Sequence, residues 1–295
     1  MIIKEEVVPW ENIKLQFKQN KYPVPLNKTL PKMYFVGLFV GSSGSGKSFS
    51  VVNLLKQYEK CGILDTETNH KVDQRIILIS PTTDANPVFT SLKHIAENDI
   101  YHDYSDDKLV YIIDDIKQEK EETNKYIEHF KLYKKFLKVK HDDELTADEL
   151  MALELTDFEP PTEPNYPHGV VNFLILDDLI GSAAFKSTGK SALTNLILKN
   201  RHIGVNILIC AQSIKSIPKT IRTNTSLFVI FKFASKRIVC DDLYEELSNL
   251  MQMEEFEAIY EYATKYPHDF LCIDISQPKE HRLKMGFNKV LTLEK

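Results

Sequence analysis

Apolar and polar positions along this chain fall into blocks whose period switches between that of a strand and that of a helix. Tyr34–Val40 is an apolar run of strand type. Ser48–Lys60 follows with apolar positions at Val51, Leu54, Leu55 and Tyr58, the spacing of one helical face. Gln74–Ser80 predicts a second strand closed by Pro81, and Leu109–Asp114 a third, peripheral strand or β-type link. Val170–Asp177 is almost continuously apolar and ends in acid, the pattern of a central parallel strand buried on both faces. Further on, the pattern predicts a helix over Ser191–Lys199, strands over Val205–Ala211 and Leu227–Phe231, helices over Leu243–Leu250 and Glu254–Tyr262, and a late strand over Phe270–Ile275. Strands alternating with helices imply an α/β fold with a mostly parallel central sheet and helices on both faces.

Two stretches stand apart from that alternation. Residues 1–33 are polar with scattered apolar positions and carry Pro9, Pro23, Pro25 and Pro31, which reads as an N-terminal arm leading into a domain over 34–295. Residues 116–158 are charge-dense and free of glycine and proline, with Tyr126, Phe130, Tyr133, Phe136 and Leu137 at roughly helical spacing. They predict one or two helices inserted into the core fold, ended by Pro160, Pro161 and Pro164. No heptad persists there to suggest a coiled coil. Asp142, Asp143 and Glu144 in this insert read as a solvated face.

The chemistry concentrates at residues 41–48, Gly-Ser-Ser-Gly-Ser-Gly-Lys-Ser, a complete G-x-x-x-x-G-K-[ST] loop between the first strand and the first helix. Gly41, Gly44 and Gly46 let the backbone fold tightly, so that the N–H groups of this loop, Ser42, Ser43 and Ser45 included, converge on a polyphosphate. Lys47 would reach the β- and γ-phosphates, and the Ser48 hydroxyl would ligate Mg²⁺. In a chain with only 10 glycines among 295 residues, chance is a poor explanation for this pattern in this setting. The expected ligands are therefore ATP and Mg²⁺.

Asp177 and Asp178 close the buried strand at its carboxyl end, where open α/β sheets bind ligands. Asp177 is assigned to the metal and Asp178 to polarising the attacking water; the plainer alternative is an Asp-Asp turn after a strand. Gln212 ends the following strand and can bridge the γ-phosphate or its water to the sheet, although polar residues at strand ends are routine. Arg201 either is solvated or reaches a neighbouring subunit's ATP, with Arg222 and Arg237 as the next candidates; His202 reads as a surface or capping residue. No Ser-His-Asp, Cys-His or zinc pattern competes with this site.

Composition adds little until charge is mapped. The chain is 43% hydrophobic and 27% charged, as in ordinary globular proteins. Its opening, Met1–Glu6, is not a signal peptide, and no apolar stretch approaches membrane-spanning length. Cys61, Cys210, Cys240 and Cys272 lie far apart, without metal-ligand spacing, which suggests a reducing, intracellular setting. Net charge is −5, yet between Asp178 and Asp241 there are ten Lys and Arg and no Asp or Glu. Such segregation points to a polyanionic partner on one face, unless these cations serve ATP or merely solvate helices.

Together these residues resemble the FtsK/HerA superfamily of ring-forming DNA-pumping ATPases. Gly41–Ser48 looks like the family's phosphate loop, Phe173–Asp178 like its hydrophobic strand with two acids, and Arg201–Gln212 like its stretch of arginine, glycine, apolar strand and glutamine. Ile221–Thr225 with Leu227–Phe231 resembles the segment beyond. The paired acids and short chain look most like the poxvirus-type genome-packaging ATPases of large DNA viruses. The resemblance covers roughly residues 34–60 and 170–235, and is silent on 1–33 and 116–158. It implies a RecA-like core, a homo-oligomeric ring (often six subunits), threading of double-stranded DNA, Arg201 as a finger acting in trans and Gln212 as a sensor. Asp178 stands where much of the superfamily has Glu, and Ser213 and Ile214 replace a frequent Arg-Pro.

Under this reading Lys186, Lys190, Lys215 and Lys219 face a pore and hold DNA phosphates without reading sequence. The implied partners are duplex DNA, further copies of the chain and a capsid or portal component, without a membrane. The implied location is the host cytoplasm at viral assembly sites, and the virion. Two other readings stay open: a P-loop phosphotransferase acting on a small molecule, and a nucleotide-dependent switch or assembly scaffold.

Overall fold

The computed structural model describes residues 22–82, 87–139, 145–179, 181–185 and 191–292. In chain order its elements are β1 (Val24–Pro25), β2 (Val36–Val40), α1 (Lys47–Cys61), β3 (Ile63–Leu64), β4 (Lys71–Ile79), β5 (Ile100–Tyr101), α2 (Asp106–Phe136), α3 (Ala147–Glu154) and β6 (Val170–Asp177). There follow α4 (Ala192–Ile203), β7 (Val205–Ala211), α5 (Lys219–Thr223), β8 (Leu227–Phe231), α6 (Lys236–Leu247), α7 (Met253–Ala263), β9 (Phe270–Asp274), β10 (Leu283–Met285) and β11 (Lys289–Val290).

The strands form one sheet in the order β1-β3-β4-β6-β7-β2-β8-β9-β10-β11, with β5 alongside β4. Its centre, β4-β6-β7-β2-β8, is wholly parallel. This is the α/β, RecA-like arrangement, with β7 lying between the strand that feeds the glycine loop and the strand that ends in acid. The central strands are apolar on both sides because both sides are covered. Phe39, Phe173, Ile175, Leu208 and Cys210 face one layer, where α1 buries Val51, Leu54, Leu55 and Tyr58. Leu38, Val40, Leu174, Leu176, Ile207 and Ile209 alternate with them and face α2, α4, α6 and α7. Each fully buried Leu, Ile or Phe contributes about 1.5–3 kcal/mol, so the two layers hold the strand ends in fixed register.

One expectation needs correction. Leu109–Asp114 is not a strand but the start of α2, a 31-residue helix. Ser105 caps that helix, its side chain accepting from the Lys108 N–H, while Asp106 and Asp107 favour its positive end. The buried positions Leu109, Ile112 and Ile116 follow helical spacing. The intervening Val110 and Tyr111 are exposed, and their β-favouring side chains produced the strand signal. The helical insert thus begins ten residues earlier than the expected 116, and its first turns belong to the core. The sheet is mostly parallel, as expected, with antiparallel pairs at its two ends: β9 against β8 with β10 and β11 beyond it, and β1 and β3 beside β4.

Arg75 on β4 anchors the insert. Its guanidinium lies 2.6 Å from Asp99, 2.7 Å from Asp115 and 3.3 Å from Glu119, the last two on α2. Burial nonetheless holds the Glu119 carboxyl above its ordinary range, with Arg75 opposing the shift. Part of the expected arm also belongs to the sheet: Val24–Pro25 pairs with Ile63–Leu64, and Leu30 and Met33 are buried. Among the described residues no helix is long and apolar enough to cross a membrane.

Candidate active site

β2 delivers its last residue between β7 and β8, with Val40 opposite Ala211 and Ile230. Gly41 then donates its N–H to the Ala211 carbonyl at 3.2 Å before the chain leaves the sheet. A Cβ at Gly41 would lie 2.6 Å from both Phe231 Cβ and Ser45 Oγ, so only glycine fits beneath the loop. Gly44 and Gly46 take left-handed conformations, φ +73° and +104°, which turn the backbone back towards the sheet. α1 starts directly afterwards at Lys47, with no side-chain cap and no acidic residue in its first turn. Its first N–H groups are left for an outside acceptor, and its dipole favours an anion.

The loop's side chains agree with that use. Lys47 Nζ donates to the carbonyls of Gly41 at 2.8 Å and Ser42 at 2.9 Å, which holds the ammonium over the loop. Burial lowers its pKa, opposed by Cys210, Asp177 and Asp178. Ser45 Oγ is buried without a partner. The ammonium and the free N–H groups fit a polyphosphate, which supplies oxygens to both.

Asp177 is the last residue of β6, opposite Cys210 on β7, and only 4% exposed. Burial raises its pKa; the Cys210 thiol opposes the shift, Asp178 adds to it, and Lys47 and Ser48 oppose it. Ser48 Oγ sits 3.4 Å from both carboxylate oxygens. A buried carboxylate with so few donors calls for a cation, and its pairing with a serine hydroxyl offers hard oxygen ligands of the kind Mg²⁺ takes beside phosphate. The residues present therefore fit magnesium.

Asp178 is also left-handed, φ +52°, which swings its side chain off the strand direction. Gln212, the first residue beyond β7, donates from Nε2 to Asp178 Oδ1 at 2.9 Å. Lys47, Ser48, Asp177, Asp178 and Gln212 thus share the walls of one cleft of about 390 Å³, completed by Thr82 and Val88 after β4. Phe49, the next residue of α1, is 66% exposed on this cleft. Helical periodicity placed Phe49 off the apolar face but could not show what it overlooks. Cys210 is buried, and its thiol lies against Asp177. His268, whose Nδ1 is 3.1 Å from the Ser45 carbonyl, carries no sequence signal at all.

The remaining candidates lie elsewhere. Arg201 is exposed in the last turn of α4, ahead of β7, whereas Gln212 follows β7. Seven strand residues span about 23 Å, so Arg201 stands at the opposite edge of the sheet from its own chain's cleft. It faces a separate hollow with Tyr34, Asn200 and Ser226. His202 is exposed beside it, as expected of a surface residue. Arg222 is an anchor rather than a free finger: Nε is 2.7 Å from Glu246, and Nη1 donates to the Ile217 carbonyl. Lys215 pairs with Asp242 at 3.1 Å and Lys219 with Glu245 at 2.6 Å. The acids of α6 therefore neutralise part of the basic stretch that precedes them. Lys186 and Lys190, the acids at 142–144 and the Arg237 side chain lie outside the described residues.

No known protein-family profile matches the chain, and no curated protein matches it. Solved structures do. The genome packaging NTPase B204 from Sulfolobus turreted icosahedral virus 2, in complex with ATP-gammaS, is 13% identical with a TM-score of 0.44, over 88% of this chain and 98% of that one. The pCW3 conjugation coupling protein TcpA is 14% identical with a TM-score of 0.40, over 86% of this chain and 63% of that one. Thermomonospora curvata EccC (ATPases 2 and 3) is 14% identical with a TM-score of 0.38, over 86% and 38%.

Proposed function

We propose that this chain is an ATP-hydrolysing motor of the FtsK/HerA type that moves double-stranded DNA, and that its task is to package a viral genome. The observation that carries the reading is the Asp178–Gln212 hydrogen bond at the mouth of the cleft. It joins the acid after β6 to the end of β7, the strand lying against β2 and its phosphate loop. A change at the outermost phosphate is thereby passed to neighbouring strands of one rigid sheet. A phosphotransferase would instead need an open acceptor pocket where this pair sits.

In the proposed reaction, the loop N–H groups and Lys47 hold the β- and γ-phosphates in line. Asp178 accepts the proton of the attacking water, and Gln212 fixes that carboxylate. Magnesium, held by Ser48 and Asp177, would neutralise charge on the β- and γ-oxygens. Positioning and electrostatics of this kind supply most of the catalysis in phosphoryl transfer.

The position of Arg201 supports action in trans: it is exposed and remote from its own cleft, as a residue serving a neighbour in a ring must be. A ring, with six copies as the working number, would bring that edge against the next subunit's site. DNA in the ring would be held through phosphates, with Lys186, Lys190, Lys215 and Lys219 as candidates. Lys215 and Lys219 would have to exchange their α6 acids for DNA, which makes binding steeply salt-dependent. The capsid or portal partner and the host-cytoplasmic setting follow from the packaging role and belong to the same proposal.

The test is steady-state ATP hydrolysis with and without duplex DNA, for the native chain and Lys47→Ala. The motor reading requires turnover stimulated by DNA and lost in the variant. Stimulation by a nucleoside or sugar instead would identify a phosphotransferase, and tight binding without turnover a switch or scaffold.

A further inference from the structure

We infer that His268 is a positioning residue for the phosphate loop, a latch that fixes the direction of one loop N–H before nucleotide arrives. The inference rests on the nucleotide-binding reading and adds to it a residue from a distant part of the chain.

His268 lies in the turn between α7 and β9, which Asp269 closes by donating its N–H to the Tyr266 carbonyl at 3.2 Å. Pro267 and His268 fill the two central positions of that turn. At the second of them φ is +65°, a conformation uncommon for any residue but glycine. A side chain carried at such a position, rather than glycine, suggests a task for it. That side chain spans 223 positions of sequence: Nδ1 lies 3.1 Å from the Ser45 carbonyl oxygen. A carbonyl only accepts, so Nδ1 carries the proton.

The consequence follows from the peptide unit. The Ser45–Gly46 bond is trans, so the Ser45 carbonyl and the Gly46 N–H point in opposite directions from one plane. Holding the carbonyl against His268 therefore aims the Gly46 N–H the other way, towards the cleft that Gly46 lines. Lys47 acts similarly on the carbonyls of Gly41 and Ser42. The two contacts clamp the loop from opposite ends. A Cβ at Gly46 would meet His268 Nδ1 and Phe231 Cε1 at 3.6 Å, an ordinary contact, so the glycine serves the loop's φ of +104° rather than the latch.

Two variants separate the hydrogen bond from the backbone conformation. His268→Gly and His268→Asn both tolerate a positive φ. Only asparagine keeps a donor, its Nδ2 occupying the place of the imidazole Nδ1. Affinity for ADP and for a non-hydrolysable ATP analogue with Mg²⁺ would be measured by calorimetry, alongside thermal melts. His268→Gly should bind both nucleotides about five- to tenfold more weakly, the scale of one hydrogen bond, with melting temperature no lower. His268→Asn should restore affinity to within about twofold. Native affinity in the glycine variant, or equal loss in both variants, would overturn the latch while leaving the nucleotide site standing. Failure of the native chain to bind either nucleotide would overturn the site, and the latch with it.

Discussion

Gln212 and Asp178 meet across the ends of two neighbouring strands, Nε2 to Oδ1 at 2.9 Å, and the contact depends on the left-handed turn at Asp178. Gln212 contributes no charge of its own; it holds a carboxylate that would otherwise rotate freely at the cleft mouth. Gln212→Ala should therefore leave nucleotide affinity within about twofold and reduce hydrolysis by about 10²-fold, the lower range for a displaced general base. Separate measurement of binding and turnover checks this; a loss of affinity without loss of turnover would place Gln212 in binding instead.

Asp177 sets function against stability. Burial raises its pKa, so the folded chain keeps that proton to higher pH than the unfolded chain, whose value is near 3.8. Stability without ligand thus falls as pH rises from about 4 through the raised folded value, and the full penalty persists above it. Asp177→Asn should melt at a higher temperature than the native chain at pH 7–8 without nucleotide, and this gain should shrink as pH approaches 4. The same variant should lose Mg²⁺-dependent hydrolysis by about 10²-fold or more. Melts across pH, paired with an ATPase assay, test both halves.

Gly41 is fixed by space rather than by a positive φ. An added methyl would meet Phe231 Cβ, in the buried core, at 2.6 Å. Gly41→Ala should destabilise the fold by about 1–3 kcal/mol, as overpacking does, and weaken nucleotide binding because Ser45 must shift too. Chemical denaturation and nucleotide titration would show the two losses together.

Arg201 is remote from its own cleft, so Arg201→Ala should bind nucleotide normally and lose hydrolysis only in the assembled state. Mixing it with Asp178→Asn subunits should recover activity at interfaces where an intact arginine meets an intact acid. Absence of recovery at any mixing ratio would remove the trans role.

The sheet was legible wherever a strand is buried on both faces. Val205–Ala211 and Leu227–Phe231 appear at the residues their apolar runs indicated. Leu109–Asp114 was misread because five apolar residues in a row suit a strand or a helix, and only the burial of Leu109, Ile112 and Ile116 decides between them. The glycine loop and the two acids stand out in the sequence because the chemistry proposed for them demands fixed residue types at fixed spacing, and the fold brings them to one cleft. Contacts between distant segments were not. The pairing of Lys215, Lys219 and Arg222 with α6, the Arg75 anchor and the reach of His268 to Ser45 depend on tertiary placement, which no local pattern encodes.

The most direct test is an experimental structure of the chain with a non-hydrolysable ATP analogue and Mg²⁺. The account predicts the β- and γ-phosphates inside the Gly41–Ser48 loop against Lys47, with the metal between Ser48 and Asp177 and the γ-phosphate facing Asp178. Phosphates bound elsewhere, or a loop left empty at saturating analogue and magnesium, would contradict it.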